Sequence, residues 1–162
     1  MEAEGGMIGA DPNRETPSFS ENVNACFRPD PNASSQAIPL LAGRIAAGFP
    51  SPADDYVDQS LDLNTHLIEH PEASFFIRVK GHSMVGAGIH DGDLLIVDRA
   101  LEPRDGKIVI AAIQGELTVK RLKFRKGTAW LVPENPDYAP IRIREDHECL
   151  IWGVVTQVIH AV

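Results

Sequence analysis

Ser83 stands in a run of small residues, Gly81-His82-Ser83-Met84-Val85-Gly86-Ala87-Gly88, just after the apolar segment Phe75-Phe76-Ile77-Arg78-Val79. A serine hydroxyl is a poor nucleophile until a base takes its proton, and glycines beside it let backbone N–H groups approach a developing oxyanion. Lys120 is the second residue of interest, within Glu116-Leu117-Thr118-Val119-Lys120-Arg121-Leu122. A lysine set between apolar strand residues is desolvated, which lowers its pKa and leaves a neutral amine able to accept a proton. Serine and lysine together would suit acyl transfer. His82 is adjacent to Ser83, but neighbours in extended chain point to opposite faces, so it cannot easily serve that hydroxyl. The G-x-S-x-G elbow is excluded, because Val85 stands where its second glycine is needed. Each residue also has an ordinary reading. Glycine-rich strand ends are usually turns, and Lys120 opens a basic cluster with Arg121, Lys123, Arg125 and Lys126 that reads as a solvated face.

The elements that must carry these residues read mainly as β. Residues 74–79 form one expected strand, and Leu94-Leu95-Ile96-Val97 another, bounded by Asp91-Gly92-Asp93 and Asp98. Residues 107–113 and 116–124 flank Gln114-Gly115, the pattern of a hairpin. Strands at 128–132 and 150–159 follow, and Leu61, Leu63, Leu67 and Ile68 suggest one short helix before Pro71. Many short strands separated by Gly, Pro and Asp predict a mainly β, mostly antiparallel small fold.

The 162 residues allow one domain with a tail and exclude a TIM barrel or a kinase. The balance of 15 Lys+Arg against 23 Asp+Glu, net charge −8, disfavours broad binding to phosphate backbones. Cys26 and Cys149 lie far apart with no metal-ligand spacing, so neither a disulfide framework nor a structural zinc site is expected, and a reducing cytoplasmic setting fits. No signal peptide or membrane span is visible. Residues 1–37 hold Pro12, Pro17, Pro29 and Pro31 with six acids, two bases and few large apolar side chains, the composition of a flexible arm. Such a stretch cannot hold a helix-turn-helix, so direct sequence-specific DNA binding is not expected.

Gly81-His82-Ser83-Met84, Gly88-Ile89-His90-Asp91-Gly92-Asp93 and Thr118-Val119-Lys120-Arg121-Leu122 occur in that order, with Ser83 and Lys120 separated by 37 residues. The arrangement resembles the LexA/UmuD self-cleaving family, the S24 serine peptidases. Ala47-Gly48-Phe49-Pro50-Ser51-Pro52 looks like the family's scissile segment. Asp55-Tyr56-Val57, Leu94-Leu95-Ile96-Val97-Asp98 and Ile108-Val109-Ile110-Ala111-Ala112 read as its UmuD branch, and the resemblance spans about residues 40–160. His82 stands at a variable position, and the arm is longer than usual for that branch.

The resemblance implies a LexA/UmuD C-terminal-like β-fold in which Ser83 is the nucleophile and Lys120 the general base. The backbone N–H groups of Ser83 and Met84 would hold the oxyanion, and the bond cut would be the chain's own Ala47-Gly48. Residues 1–47 would be the arm removed, and 48–162 a peptidase-like dimerisation domain. No metal or organic cofactor is implied. A RecA filament on single-stranded DNA would stimulate cleavage, and the dimeric product would serve a UmuC-type Y-family polymerase in error-prone synthesis past lesions during the SOS response. Trp152, in the run 150–159, is available either for pairing or for the core. The competing readings are a LexA-like self-cleaving repressor, a non-enzymatic polymerase-binding module, and a type I signal peptidase, which this chain's lack of an apolar anchor disfavours.

Overall fold

The computed structural model describes residues 26–41, 57–144 and 148–162. These form two compact units, residues 30–69 and residues 26–29 with 70–162.

In the smaller unit, β2 (Ile38–Leu41) pairs antiparallel with β3 (Val57–Leu61), and a helix, α1 (Leu63–Leu67), follows. Asp62 caps α1 by accepting from the Asn64 N–H at 3.0 Å, and a cap of this kind contributes about 1 kcal/mol. The expected helix at 61–68 is therefore shorter, because Leu61 pairs with Ile38 at the end of β3.

The larger unit is one eight-stranded antiparallel sheet in the order β1-β4-β5-β10-β6-β7-β8-β9. Its strands are β1 (Cys26–Phe27), β4 (Ser74–Arg78), β5 (Leu94–Asp98), β6 (Ile108–Ile113), β7 (Glu116–Arg125), β8 (Thr128–Val132), β9 (Ile141–Arg142) and β10 (Cys149–Ile159). The mainly β, antiparallel expectation is met, with each strand foreseen between 74 and 159 present to within two residues at either end. Gln114 and Gly115 both have positive φ, 51° and 85°, as the two-residue turn of a β6–β7 hairpin requires. One piece of the stretch 1–37 that composition marks as an arm is a strand. Cys26–Phe27 pairs with Phe76–Ile77 along the otherwise open side of β4, where unpaired backbone groups favour an added strand.

Burial falls on both faces of the sheet. One cluster contains Phe75, Leu95, Val97, Ile110, Leu117 and Trp152, and the other contains Val109, Ala111, Leu122, Leu131, Ile151 and Val154. The alternation of β7 divides its side chains accordingly, Leu117 toward the first cluster and Leu122 toward the second. Trp152 is 1% exposed, so of its two sequence readings the core is the right one. No described helix is long and apolar enough to cross a membrane.

Candidate active site

Lys120 lies opposite Val109 in the β6–β7 ladder and is 7% exposed. Its ammonium nitrogen is surrounded by three oxygens: Ser83 Oγ at 2.9 Å, Thr118 Oγ1 at 2.8 Å and the Val119 carbonyl at 2.9 Å. Thr118 reaches it because residues two apart on a strand share a face. Among the described residues no carboxylate pairs with Nζ. Burial alone then acts on the lysine and lowers its pKa from the usual value near 10.5. In the neutral form two N–H groups can be donated to Thr118 and Val119, which leaves the lone pair directed at the Ser83 hydroxyl. The ordinary reading of Lys120 as part of a solvated face does not hold.

Ser83 is presented by the loop that leaves β4. Met84, next to it, is 1% exposed and anchors the loop in the core. The Ser83 carbonyl accepts from the Glu134 N–H at 2.9 Å, the Glu134 carbonyl accepts from the Gly86 N–H at 2.7 Å, and Asn135 Nδ2 donates to the His82 carbonyl at 2.9 Å. The segment after β8 thus holds the serine loop over β7. Among the described residues neither the Ser83 nor the Met84 N–H donates a hydrogen bond, which leaves both available to an incoming oxygen. His82 is exposed and makes no hydrogen bond to Ser83.

Arg121 is the residue that sequence reasoning misplaced. It is only part-exposed, pairs with Glu134, and donates from Nη1 to the Gly106 carbonyl at 2.7 Å. It therefore braces the segment that holds Ser83. Thr118, Glu134 and Asn135 were not singled out from sequence either. Thr118 carried a usable signal, its two-residue spacing from Lys120 in a strand, while Glu134 and Asn135 approach the site only through tertiary folding. Arg125 and Lys126 remain exposed, as expected for that stretch.

The dyad opens onto a cleft of about 610 Å³ whose walls include Ile77, Val79, Leu95, Leu117, Val119 and Tyr138. A volume of this order suits an apolar-walled ligand site with a few placed polar groups. Ala47 and Gly48, the expected scissile pair, lie outside the described residues.

Gly86 makes the closest approach in the loop. A Cβ there would sit 2.6 Å from the Glu134 carbonyl oxygen, a backbone atom that cannot simply swing aside. Gly86→Ala is expected to cost about 1 to 3 kcal/mol, and to slow self-cleavage by about 10²-fold by displacing Ser83 on the order of 1 Å. Thermal melts and the rate of product appearance check this, and a variant with unchanged rate would show that the Glu134 contact does not position Ser83.

Residues 39–156 match the Peptidase S24-like family model. Protein ImpA of Salmonella typhimurium is 50% identical over 133 residues, covering 81% of this chain and 90% of the relative. Protein MucA of Escherichia coli is 49% identical over 121 residues, 74% of this chain and 82% of the relative. LexA repressor 1 of Pseudomonas syringae pv. tomato is 42% identical over 146 residues, 89% of this chain and 70% of the relative. With a match that spans the cleft and both sides of the Ser83–Lys120 contact, the chain belongs to the S24 peptidase family of self-cleaving serine peptidases, in its UmuD-like branch.

Proposed function

We propose that this protein cleaves its own Ala47-Gly48 bond with Ser83 as nucleophile and Lys120 as general base. The observation that carries the reading is the 2.9 Å contact of Lys120 Nζ with Ser83 Oγ, made by a buried lysine that lacks a carboxylate partner among the described residues. Neutral Lys120 takes the Ser83 proton as Oγ bonds to the Ala47 carbonyl carbon. The negative oxygen is held by the N–H groups of Ser83 and Met84. When the C–N bond to Gly48 breaks, the lysine ammonium returns its proton to the leaving amine, and water then releases the acyl group from Ser83. The small side chains of Ala47 and Gly48 suit entry into a cleft, and Pro50 and Pro52 are residues that disfavour a competing helix.

The reading extends to the chain's role. Residues 1–47 are the arm that is shed. Residues 48–162 form a dimeric product in the cytoplasm that acts as accessory subunit of a UmuC-type Y-family polymerase in SOS mutagenesis. A RecA filament on single-stranded DNA stimulates the cut by favouring entry of the cleavage segment into the cleft. The similarity to ImpA, MucA and LexA repressor 1 supports this placement.

The pH dependence of self-cleavage tests the lysine's role. Burial lowers the Lys120 pKa, so the neutral fraction rises tenfold per pH unit below that pKa and levels off above it. The expected profile climbs by about tenfold per unit from near neutrality and flattens in alkali below the range of an ordinary lysine. Rates measured by product mass from about pH 7 to about pH 10 check it, and a flat profile over that interval would remove Lys120 as the base.

A further inference from the structure

The register that builds the sheet also brings together three potential metal ligands at its edge. In the β5–β10 ladder Val158 faces Leu95 and Ile159 faces Leu94, so the next position sets His160 beside Asp93. His160 Nδ1 lies 2.7 Å from Asp93 Oδ1. A turn closed by the Asp93 N–H to the His90 carbonyl, at 3.2 Å, brings His90 to the other side of the same carboxylate, with Nδ1 3.7 Å from Oδ2. The two imidazole rings stand 5.0 Å apart, and the three ligand atoms all lie within 4.8 Å of one another. Asp93 is 5% exposed, whereas both histidine rings are about half exposed and open to solvent.

We propose that His90, Asp93 and His160 form a binding site for a divalent transition-metal ion of the zinc class. Two imidazole nitrogens and one carboxylate oxygen suit such an ion better than calcium or magnesium, which take oxygen ligands. Bonds of about 2.0 to 2.2 Å place tetrahedral ligands roughly 3.3 Å apart. The His160–Asp93 contact widens slightly to reach that spacing and the His90–Asp93 distance shortens, both by turning exposed rings. The fourth position is left to water. Asp93 Oδ2 also accepts the His90 N–H at 2.7 Å, which fixes the carboxylate between the two rings. None of the three residues lines the cleft that holds Ser83 and Lys120. The ion would clasp the loop that follows Ser83 to the end of β10. Cysteine spacing, the usual sequence clue to zinc, could not show a site assembled by strand register.

The test is titration of zinc chloride into the full chain carrying Ser83→Ala, which keeps it whole, followed by calorimetry and thermal melts, with cobalt(II) absorption reporting geometry. Saturable binding of one ion per chain is expected, with a rise in Tm of about 5 to 10 °C at a hundredfold excess over Kd and the intense visible bands of four-coordinate cobalt. Asp93→Asn disturbs the loop it holds, so His90→Asn and His160→Asn carry the decision. Each should weaken binding by at least about tenfold, while His66→Asn should leave it unchanged. No saturable heat and no shift in Tm, or affinity retained in both His90→Asn and His160→Asn, would overturn the proposal.

Discussion

Ser83→Ala and Lys120→Ala should each reduce self-cleavage by about 10⁴-fold or more, to a rate that no longer rises with pH through the lysine's titration. The serine variant removes the atom that bonds to carbon. The lysine variant leaves that atom in place but removes the amine nitrogen 2.9 Å from Oγ. Because the two act as one unit, the double variant should be about as slow as either single one. Both variants should remain folded. Lys120→Ala removes an amine whose partners are two hydroxyls and one carbonyl rather than an opposite charge, so no unpaired ion is left behind. Circular dichroism and thermal melts beside the cleavage assay separate a lost base from a lost fold. Rates that fall in only one of the two variants would break the dyad apart.

Trp152→Ala should destabilise the larger unit by about 3 to 5 kcal/mol. The ring is 1% exposed, packs at 4.9 Å and 59° on Phe75, and lies under the Arg99 guanidinium at 5.0 Å. Its removal empties a space bordered by strands on either side of β10. The protein has at most ~15 kcal/mol to lose, so a large drop in the denaturant midpoint is expected, with self-cleavage impaired through instability rather than chemistry. Trp152→Phe should cost much less, because the indole N–H makes no hydrogen bond among the described residues and only part of the ring volume is lost. Denaturant titration of the two variants checks the ordering. An alanine variant as stable as the wild type would contradict the core placement.

Ser83 and Lys120 were each legible as candidates, a serine among glycines at a strand end and a lysine amid apolar residues in a strand, but each also had an ordinary reading, and their pairing followed from the resemblance of the ordered motifs to the S24 family. The strands β5 to β8 and β10 were legible for a similar reason, being runs of apolar residues closed by Gly, Asp or Pro. Gln114-Gly115 marked its hairpin directly. The two-residue strands β1 and β9 carry too few side chains for any periodicity, and neighbouring strands alone decide that they form. Trp152 was ambiguous because β10 lies between β5 and β6 and buries Ile151, Trp152, Gly153 and Val154 in succession, so alternation gives no clue to which side is open. Arg121 looked like one more surface cation, since its carboxylate partner Glu134 lies 13 residues away across β8. The cluster of His90, Asp93 and His160 was hidden for the same reason, His160 lying 67 residues from Asp93.

The cleavage reaction itself offers the most direct test. Intact mass is measured for the wild type, Ser83→Ala and Lys120→Ala after incubation in alkali, and separately with RecA, single-stranded DNA and nucleotide. The wild type should yield a fragment beginning at Gly48 under both conditions, and neither variant should. Should all three chains stay whole, or should the variants yield the same fragment as the wild type, Ser83 and Lys120 would not be a self-cleaving dyad.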